Sequence, residues 1–213
     1  MNKLKLILVG NASLTQQCGV LALAQGHSIV AVVTQDGQVR DWALGLGLRV
    51  EMQQAGWPHR LHDIAADWLL SVANLHMIPA AALAHMACGA VNFHDGPLPR
   101  YAGLNAPVWA LLQGAVQHGI TWHLIDAGVD TGDILEQRLF QIAADDTALT
   151  LNTRCFEAAL DSFPSLLAQL ETGELRRNPQ DMTHRSVFRR ADRPAAMGRI
   201  DFAQSTTQVL RLI

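Results

Sequence analysis

An amide and an imidazole stand two residues apart near the middle of the sequence. Asn92 and His94 close an apolar run, Gly89 to Phe93, that predicts a β-strand. Because successive side chains of a strand point to opposite faces, Asn92 and His94 share one face. Two polar groups side by side at the carboxyl end of a sheet strand could stabilise a developing oxyanion. Taken alone, the pair is also explained by side chains that only cap backbone groups of the following loop.

An acidic loop with two glycines follows further along the chain. Two predicted strands, Gly119–Ile125 and Asp133–Gln141, flank this loop, which carries the carboxylate of Asp130. A carboxylate beside an imidazole favours the charged ring and can receive or relay a proton. His123 and Asp126 also lie close in sequence, but no third ligand is obvious, so no metal is expected.

The order of predicted elements indicates the fold class. Short strands alternate with short helices in the first half of the chain, which is typical of an α/β protein with a doubly wound, mostly parallel sheet. Such sheets bind ligands beyond the carboxyl ends of their strands, where Asn92 and His94 are expected. The predicted strands are Leu4–Val9, Ser28–Val33, Arg49–Val50, Trp68–Ala73 and Gly89–Phe93, and the predicted helices are Leu14–Gln25, Asp41–Leu46, Ala80–Met86 and Pro107–Leu112.

One long helix dominates the predicted C-terminal half. Asp145-Asp146-Thr147 supplies capping groups for a helix from Ala148 to about Glu171, and Gly173 is expected to stop it. The polar, proline-bearing segment 174–193 predicts an extended linker. A helical pattern then resumes at Thr206–Ile213 and stops without a cap or a glycine, so the natural polypeptide is expected to continue. We therefore predict a catalytic domain over residues 1–173, followed over residues 174–213 by a linker and the beginning of a C-terminal subdomain.

Composition and charge narrow the class of function. The 213 residues are 49% hydrophobic and 16% charged, which is ordinary globular composition. The formal net charge is −3, and the basic stripe typical of nucleic-acid-binding proteins is missing from the sequence. We interpret the basic pairs Arg176-Arg177 and Arg189-Arg190 as solvated surface. Three separated cysteines without CxxC spacing fit a reduced, cytoplasmic protein, and no apolar run approaches the ~20 residues of a membrane span.

The Asn92 and His94 pair and the acidic loop with Asp130 belong to a longer pattern of four segments. These segments are Asn92-Phe93-His94, Leu98-Pro99-Arg100-Tyr101-Ala102-Gly103, Gly119-Ile120-Thr121 and Asp130-Thr131-Gly132. This pattern resembles that of the 10-formyltetrahydrofolate-dependent formyltransferases, which include methionyl-tRNA formyltransferase and glycinamide ribonucleotide formyltransferase. The resemblance covers roughly residues 70–141. It implies a Rossmann-like fold, 10-formyltetrahydrofolate as the donor, and Asn92, His94 and Asp130 as a catalytic trio that needs no metal.

The resemblance also implies where the donor binds. An apolar wall from Leu75, Met77 and Ile78 would hold the flat pterin while backbone amides contact its edge. Ordinary core packing is the alternative explanation for Met77 and Ile78, and His76 has no assigned role. The remaining implied donor contacts are Asn92, Ile125, Asp126, Ala127, Gly128 and Asp130.

One position departs from the family pattern. The family often has Pro-Ser-Leu or a similar run after the histidine, whereas this chain has Asp95-Gly96-Pro97. Asp95 adds a carboxylate next to His94. We expect it to point away from the imidazole, where it could touch the acceptor amine. The departure therefore bears on acceptor placement more than on the chemistry.

The branches of the family differ in their acceptors. Glycinamide ribonucleotide enzymes carry a glycine- and serine-rich phosphate loop after the first strand, and Gly10–Ser13 is too poor in glycine for that. Methionyl-tRNA enzymes carry a basic insertion after the second strand, and Thr34–Arg40 is short and barely charged, so tRNA is disfavoured. Residues 92–109 and 145–152 resemble formylation domains of nonribosomal peptide synthetases. We expect the acceptor to be an amino acid or an aminoacyl group on a carrier protein, in peptide or siderophore synthesis; a sugar amine and methionyl-tRNA are the alternatives.

Two functions of other classes remain open. An inactive folate-binding module would have lost the trio, which is intact. A 10-formyltetrahydrofolate hydrolase would keep the trio but usually carries an extra N-terminal regulatory domain, whereas the catalytic fold is predicted here to begin at residue 3. Product analysis with and without an amine distinguishes transfer from hydrolysis.

Overall fold

A seven-stranded sheet forms the centre of the protein. The structure, a computed structural model, describes residues 3–211. The sheet strands are β1 (Lys5–Val9), β2 (Ser28–Thr34), β3 (Val50–Met52), β4 (Ala66–Ser71), β5 (Met86–His94), β7 (Gln117–Leu124) and β8 (Ile134–Gln141), while β6 (Ala102–Gly103) and β9 (Val187–Phe188) pair with each other outside it. The strand order is β3-β2-β1-β4-β5-β7-β8; the first five strands are parallel, and β7 and β8 are each antiparallel to the strand before them in that order. This confirms the predicted α/β fold with a mostly parallel sheet.

Helices cover both faces of this sheet. Alternate residues of β1 enter two different cores: Leu6 and Leu8 pack with the helices of one face, and Ile7 and Val9 pack on the other. Burial on both faces explains why β1 is an uninterrupted apolar run rather than an alternating one. The helices are α1 (Ser13–Ala24), α2 (Gly37–Gly45), α3 (Ala80–Leu83), α4 (Ala106–Leu112), α5 (Ala148–Thr172) and α6 (Thr206–Leu210), with 3-10 turns at Trp57–Leu61, Met182–His184 and Ala195–Gly198.

Two predicted helix boundaries were wrong. The helix predicted at Ala80–Met86 is one turn long and ends at Leu83, because Met86 already pairs with β4 as the first residue of β5. The helix predicted to start at Asp41 starts at Gly37, because the Asp36 carboxylate accepts a hydrogen bond from the backbone N–H of Val39 and caps it. As a result, only two residues connect β2 to α2.

The long helix α5 follows its sequence signals. The Thr147 and Thr150 side chains form a reciprocal capping box at its start. Gly173 ends it in the left-handed conformation, with φ of 75°. The helix packs its buried face on β7 and β8, behind the strands that lead into the acidic loop.

The segment after α5 lies against the rest of the protein. It is largely extended, as predicted, but Asn178 forms a β-bridge with Ile134, and β9 pairs with β6. The helix predicted at Thr206–Ile213 is α6, which begins at Thr206 and ends at Leu210. Residues 212–213 of that prediction lie outside the described part of the chain. The division of the chain at residue 173 stays a prediction. None of the helices within residues 3–211 is long and apolar enough to cross a membrane.

Candidate active site

The structure brings Asn92, His94 and Asp130 to one place. His94 is the last residue of β5 and Asn92 lies two residues before it, while Asp130 lies in the loop between β7 and β8. His94 Nδ1 is 3.6 Å from Asp130 Oδ2, and the Asp130 side chain is only 12% exposed. The site therefore forms where the parallel part of the sheet meets its antiparallel part, because β7 pairs with β5 in reversed direction.

A buried second histidine completes the cluster. His123 lies directly opposite Asn92 in the β5–β7 pairing. Its Nε2 is 3.3 Å from Asp130 Oδ1 and 3.2 Å from Asn92 Nδ2, while its Nδ1 donates to the carbonyl of Leu124 at 2.8 Å. Sequence spacing alone presents His123 only as a candidate metal ligand. The signal that reveals it is the antiparallel register, which places it beside the Asn92 position.

The charge of Asp130 is compensated from three directions. Burial alone would raise the pKa of its carboxyl, but the hydrogen bond from His123, the charge of His94 and the backbone N–H of Gly103 hold that pKa well below its usual range. The Gly103 N–H donates to Asp130 Oδ2 at 2.7 Å. Asp130 is therefore an ionised carboxylate at any pH near neutrality.

His94 is fixed by the loop that follows β5. Its Nε2–H donates to the carbonyl of Tyr101 at 2.8 Å, so Nδ1 is left facing the carboxylates. Gly96 makes this possible, because a Cβ there would lie 2.7 Å from Nε2 of His94. The ring thus has a carbonyl acceptor at Nε2 and carboxylate oxygens at 3.6 and 3.9 Å from Nδ1.

Asp95 does not point away from His94 as the sequence suggested. Its Oδ1 is 3.9 Å from His94 Nδ1, on the same ring nitrogen that faces Asp130. Burial raises the pKa of the Asp95 carboxyl against the opposing effect of the charge on His94. The expectation was wrong because the irregular loop after β5 turns the Asp95 side chain back toward the site instead of continuing the strand's alternation.

The acidic loop has a closely constrained backbone. Asp130 itself is left-handed, with φ of 51°. A Cβ at Gly132 would lie 1.9 Å from the carbonyl oxygen of Leu124, so only glycine fits there. The Asp126 carboxylate accepts hydrogen bonds from the N–H of Gly128 and the hydroxyl of Thr131, both inside the loop.

A cavity of about 950 Å³ opens above the cluster. Asn92, His94, Asp95, His123 and Asp130 line its floor. Of the predicted donor contacts, the structure places these in the cavity wall: Leu75, Met77, Ile78, Asn92, Ile125, Gly128 and Asp130.

Two other predicted donor contacts lie elsewhere. Asp126 and Ala127 are not among the cavity-lining residues, and the Asp126 side chain is used to shape its own loop. By contrast, Leu75 and Met77 line the cavity while 70% and 61% exposed. The core-packing alternative is therefore wrong for Met77 but fits the buried Ile78. Within residues 3–211 no group of three or more His, Cys, Asp or Glu side chains is placed to hold a metal ion.

The comparison with known families decides the assignment. A family model described as formyl transferase matches residues 8–167, about three quarters of the chain. The chain belongs to the formyl transferase family. The family predicted from the Asn92, His94 and Asp130 motifs, the 10-formyltetrahydrofolate-dependent formyltransferases, is thereby confirmed, and so is the enzyme class.

Two relatives of similar sequence are methionyl-tRNA formyltransferases. Methionyl-tRNA formyltransferase of Chromobacterium violaceum is 31% identical over 230 aligned residues, which cover 99% of this chain and 73% of the relative. The methionyl-tRNA formyltransferase of Koribacter versatilis is also 31% identical, over 87% of this chain and 64% of the relative.

Solved structures show the same fold at lower identity. The sugar 3N-formyltransferase WlaRD, solved with dTDP and 5-N-formyl-THF, superposes with a TM-score of 0.85 at 19% identity, covering 100% of this chain and 79% of that one. Glycinamide ribonucleotide transformylase 1 of Symbiobacterium toebii superposes with a TM-score of 0.73 at 20% identity, covering 84% and 95% of the two chains.

A third buried histidine supports the formyltransferase site from below. His118 is fully buried, and its Nε2–H donates to the carbonyl of Asp95 at 2.9 Å. Its Nδ1 has no hydrogen-bond partner within the described residues. Burial lowers the pKa of His118 to about 4, so the ring is neutral near pH 7.

His118 makes the protein less stable in mild acid. The unfolded chain takes up a proton at His118 below about pH 6.5, and the folded protein does so only near pH 4, so the free energy of unfolding falls as the pH drops through that window. From pH 7 to pH 5 this amounts to about 2 kcal/mol.

We predict that His118→Gln removes this part of the pH dependence of the free energy of unfolding, measured by urea unfolding at pH 7 and pH 5. The exposed His85→Gln is the matched control and should keep the wild-type slope; an unchanged slope in His118→Gln would contradict the assignment.

Proposed function

We propose that this formyltransferase moves the formyl group of 10-formyltetrahydrofolate onto the primary amine of an amino acid or of an aminoacyl group on a carrier protein. The observation that carries the proposal is the cluster of Asn92, His94 and Asp130 on the floor of the 950 Å³ cavity. Its size is at the upper end of ordinary ligand pockets, so a donor and an acceptor amine have room to meet there.

The proposed reaction passes through a tetrahedral intermediate. The unprotonated amine attacks the formyl carbon, and negative charge develops on the formyl oxygen. The Asn92 amide and the His94 Nδ1–H are the donors that face the cavity and can stabilise this charge. The C–N bond to the donor then breaks as N10 of the donor takes up one proton, which balances the proton lost by the attacking amine, and tetrahydrofolate and the formylated amine are left.

The two carboxylates beside His94 take different parts in this proposal. Asp130 has a depressed pKa, so it stays charged and stabilises the imidazolium of His94. Asp95 has a raised pKa and is the stronger base of the two, so it is better matched to accept the proton that the attacking amine loses. Both lie within 4 Å of the same nitrogen of His94.

The donor assignment is supported by the cavity wall and by the neighbours. The WlaRD structure is described with 5-N-formyl-THF, and the structure of HypX from Aquifex aeolicus with tetrahydrofolic acid. In this chain, Leu75 and Met77 present exposed apolar side chains to the cavity next to Ile78. A flat pterin would bury both side chains.

The acceptor proposal follows from the shape and charge of the rim. Because α2 starts directly after Asp36, the β2–α2 connection has no basic insertion, and it places the Asp36 carboxylate at the cavity edge. Within residues 3–211, Arg185 and Arg189 are the only basic residues in the lining apart from histidines, and no lysine lines it. Two arginines can make few phosphate contacts, so this lining suits an acceptor amine that is not attached to a polyanion better than it suits tRNA.

A sugar amine is the second candidate. The sugar N-formyltransferase structures from two sources superpose on nearly the whole chain, with TM-scores of 0.85 and 0.83. A nucleotide-linked sugar would bring a diphosphate, which in this cavity would have to be met by Arg189, the exposed arginine of the lining.

Within the proposed function, the first prediction concerns the donor. Calorimetry with 5-formyltetrahydrofolate should detect binding, and Leu75→Ala should weaken it by about 10- to 100-fold, since burial of a leucine side chain contributes roughly 1.5–3 kcal/mol. Leu44→Ala removes an exposed leucine on α2 away from the cavity and should bind like the wild type. If the wild type shows no binding up to millimolar concentration, the donor proposal is wrong.

The second prediction concerns the trio. Asn92→Ala should lower formyl transfer by about 10²–10³, the cost of one oxyanion donor, and His94→Ala and Asp130→Ala should each lower it by several orders of magnitude. The surface substitution His85→Ala should have no effect. Thermal melts check that each variant is folded. Any member of the trio that can be replaced with less than a twofold loss has no part in the mechanism.

The third prediction concerns the acceptor. Offered the same donor, the enzyme should formylate a free amino acid or an aminoacyl carrier protein in preference to methionyl-tRNA. The rate should change little between about 50 and 200 mM salt, because few phosphate contacts are made; a tRNA acceptor held by several phosphate contacts would lose orders of magnitude in affinity over that range. Preferential, salt-sensitive formylation of methionyl-tRNA would overturn the acceptor proposal. Preference for a nucleotide-linked amino sugar would instead favour the second candidate.

A further inference from the structure

The extended segment that follows α5 makes direct contact with the catalytic loop. The side-chain amide of Gln180 donates through Nε2 to the carbonyl oxygens of Asp130, at 3.0 Å, and Gly132, at 2.7 Å. One side chain from outside the sheet thus bridges the two sides of the turn that carries the Asp130 carboxylate.

Arg185 holds the same turn from a second point. Its Nη1 donates to the Asp130 carbonyl at 3.1 Å, and its Nη2 donates to the Val129 carbonyl at 2.5 Å. The Asp130 carbonyl therefore receives two side-chain donors from one segment. A backbone carbonyl with two such partners has little freedom to rotate.

The same segment also fixes the group that donates to the Asp130 carboxylate. The N–H of Gly103 points at Asp130 Oδ2, and Gly103 belongs to β6, which pairs with Phe188 in β9. The approach is close: a Cβ at Gly103 would lie 2.1 Å from the carbonyl oxygen of Phe188. The N–H of Leu104 completes the pairing by donating to the same carbonyl at 2.9 Å.

We propose that Gln180 and Arg185 are positioning residues for Asp130, and that segment 178–188 completes the active site from beyond the 8–167 region that the family model matches. The proposal rests on the proposed function, since it assumes that Asp130 works on the formyl-transfer step. It assigns catalytic importance to residues whose side chains act only through the Asp130 backbone.

The backbone of Asp130 explains why it needs such support. A left-handed φ of 51° is costly for a residue with a side chain. Without the two donors the turn can relax, and a relaxed turn would move the carboxylate away from its partners. The charged and titratable groups around this turn are His94 at the end of β5, the adjacent Asp95, His123 on β7, and Arg185, which donates to the backbone carbonyl of Asp130 and not to its carboxylate.

Gln180→Met is the sharpest test, because it keeps the side-chain length, removes the donors and changes no charge. We expect kcat to fall by about 10- to 100-fold, the scale of a misplacement near 1 Å, with a smaller change in KM for the amine. Gln204→Met makes the same exchange at an exposed position and should leave kcat unchanged. Arg185→Met, with Arg177→Met as its exposed control, tests the second donor in the same way.

The Asp130→Asn background separates positioning from a general loss of structure. If Gln180 acts through the Asp130 carboxylate, Gln180→Met should slow the Asp130→Asn enzyme by less than about twofold, because the group it positions is already gone. An equal loss in both backgrounds would mean a merely structural role and would overturn the proposal. A kcat within twofold of wild type in both Gln180→Met and Arg185→Met would also overturn it.

A measurement without turnover keeps this inference distinct from the proposed function. Carboxyl NMR titration should show the pKa of Asp130 raised toward its usual value in Gln180→Met, since the carboxylate no longer accepts the hydrogen bonds from the Gly103 N–H and from His123. An Asp130 pKa that is the same as in the wild type would sink the positioning role even if the wild type proved to formylate nothing. Absence of formyl transfer by the wild type would refute only the proposed function.

Discussion

One buried negative charge organises the site. The Asp130 carboxylate lies in a largely enclosed position, and a buried charge is tolerated only when hydrogen bonds and opposite charges replace the water it has lost. Here the replacement comes from three separate parts of the chain: His94 at the end of β5, His123 on β7 and the N–H of Gly103 on β6. Moving any of these elements would leave the charge uncompensated, so the requirement of one carboxylate fixes the relative placement of three strands.

Much of the frame could be predicted from local sequence. The apolar run of β1, the capping residues around Thr147 and the glycine at 173 are signals whose partners lie within a few residues, and each formed the expected element. Asn92 and His94 belong to the same class, because strand alternation alone puts them on one face. Helix starts and ends were less accurate, since the one-turn α3 yields to the strand pairing of Met86.

The remainder depends on contacts between distant parts of the chain. His123 gains its place from the reversal of strand direction at β7, which no local pattern shows. Asp95 turns toward His94 because its loop is irregular, so the period-two rule does not extend to it. Gln180 contacts a loop 50 residues away, and its sequence surroundings are simply polar and proline-bearing. Motif resemblance singled out the proposed trio of Asn92, His94 and Asp130, but it carried no information on which distant residues hold these groups in place.

The late position of segment 178–188 in the chain has a consequence for biosynthesis. The sheet and α5 are complete by residue 172, and each of their neighbouring strands can pair before the rest of the polypeptide is made. The contacts of Ser186 with Tyr101 and of Gln180 with Asp130 close loops of 85 and 50 residues, so they form only after the sheet exists. During vectorial synthesis the chain therefore buries its core first and acquires the contacts that order the Asp130 turn last. A nascent chain in which this segment is still inside the ribosome would have its sheet but would lack the side chains that hold this turn.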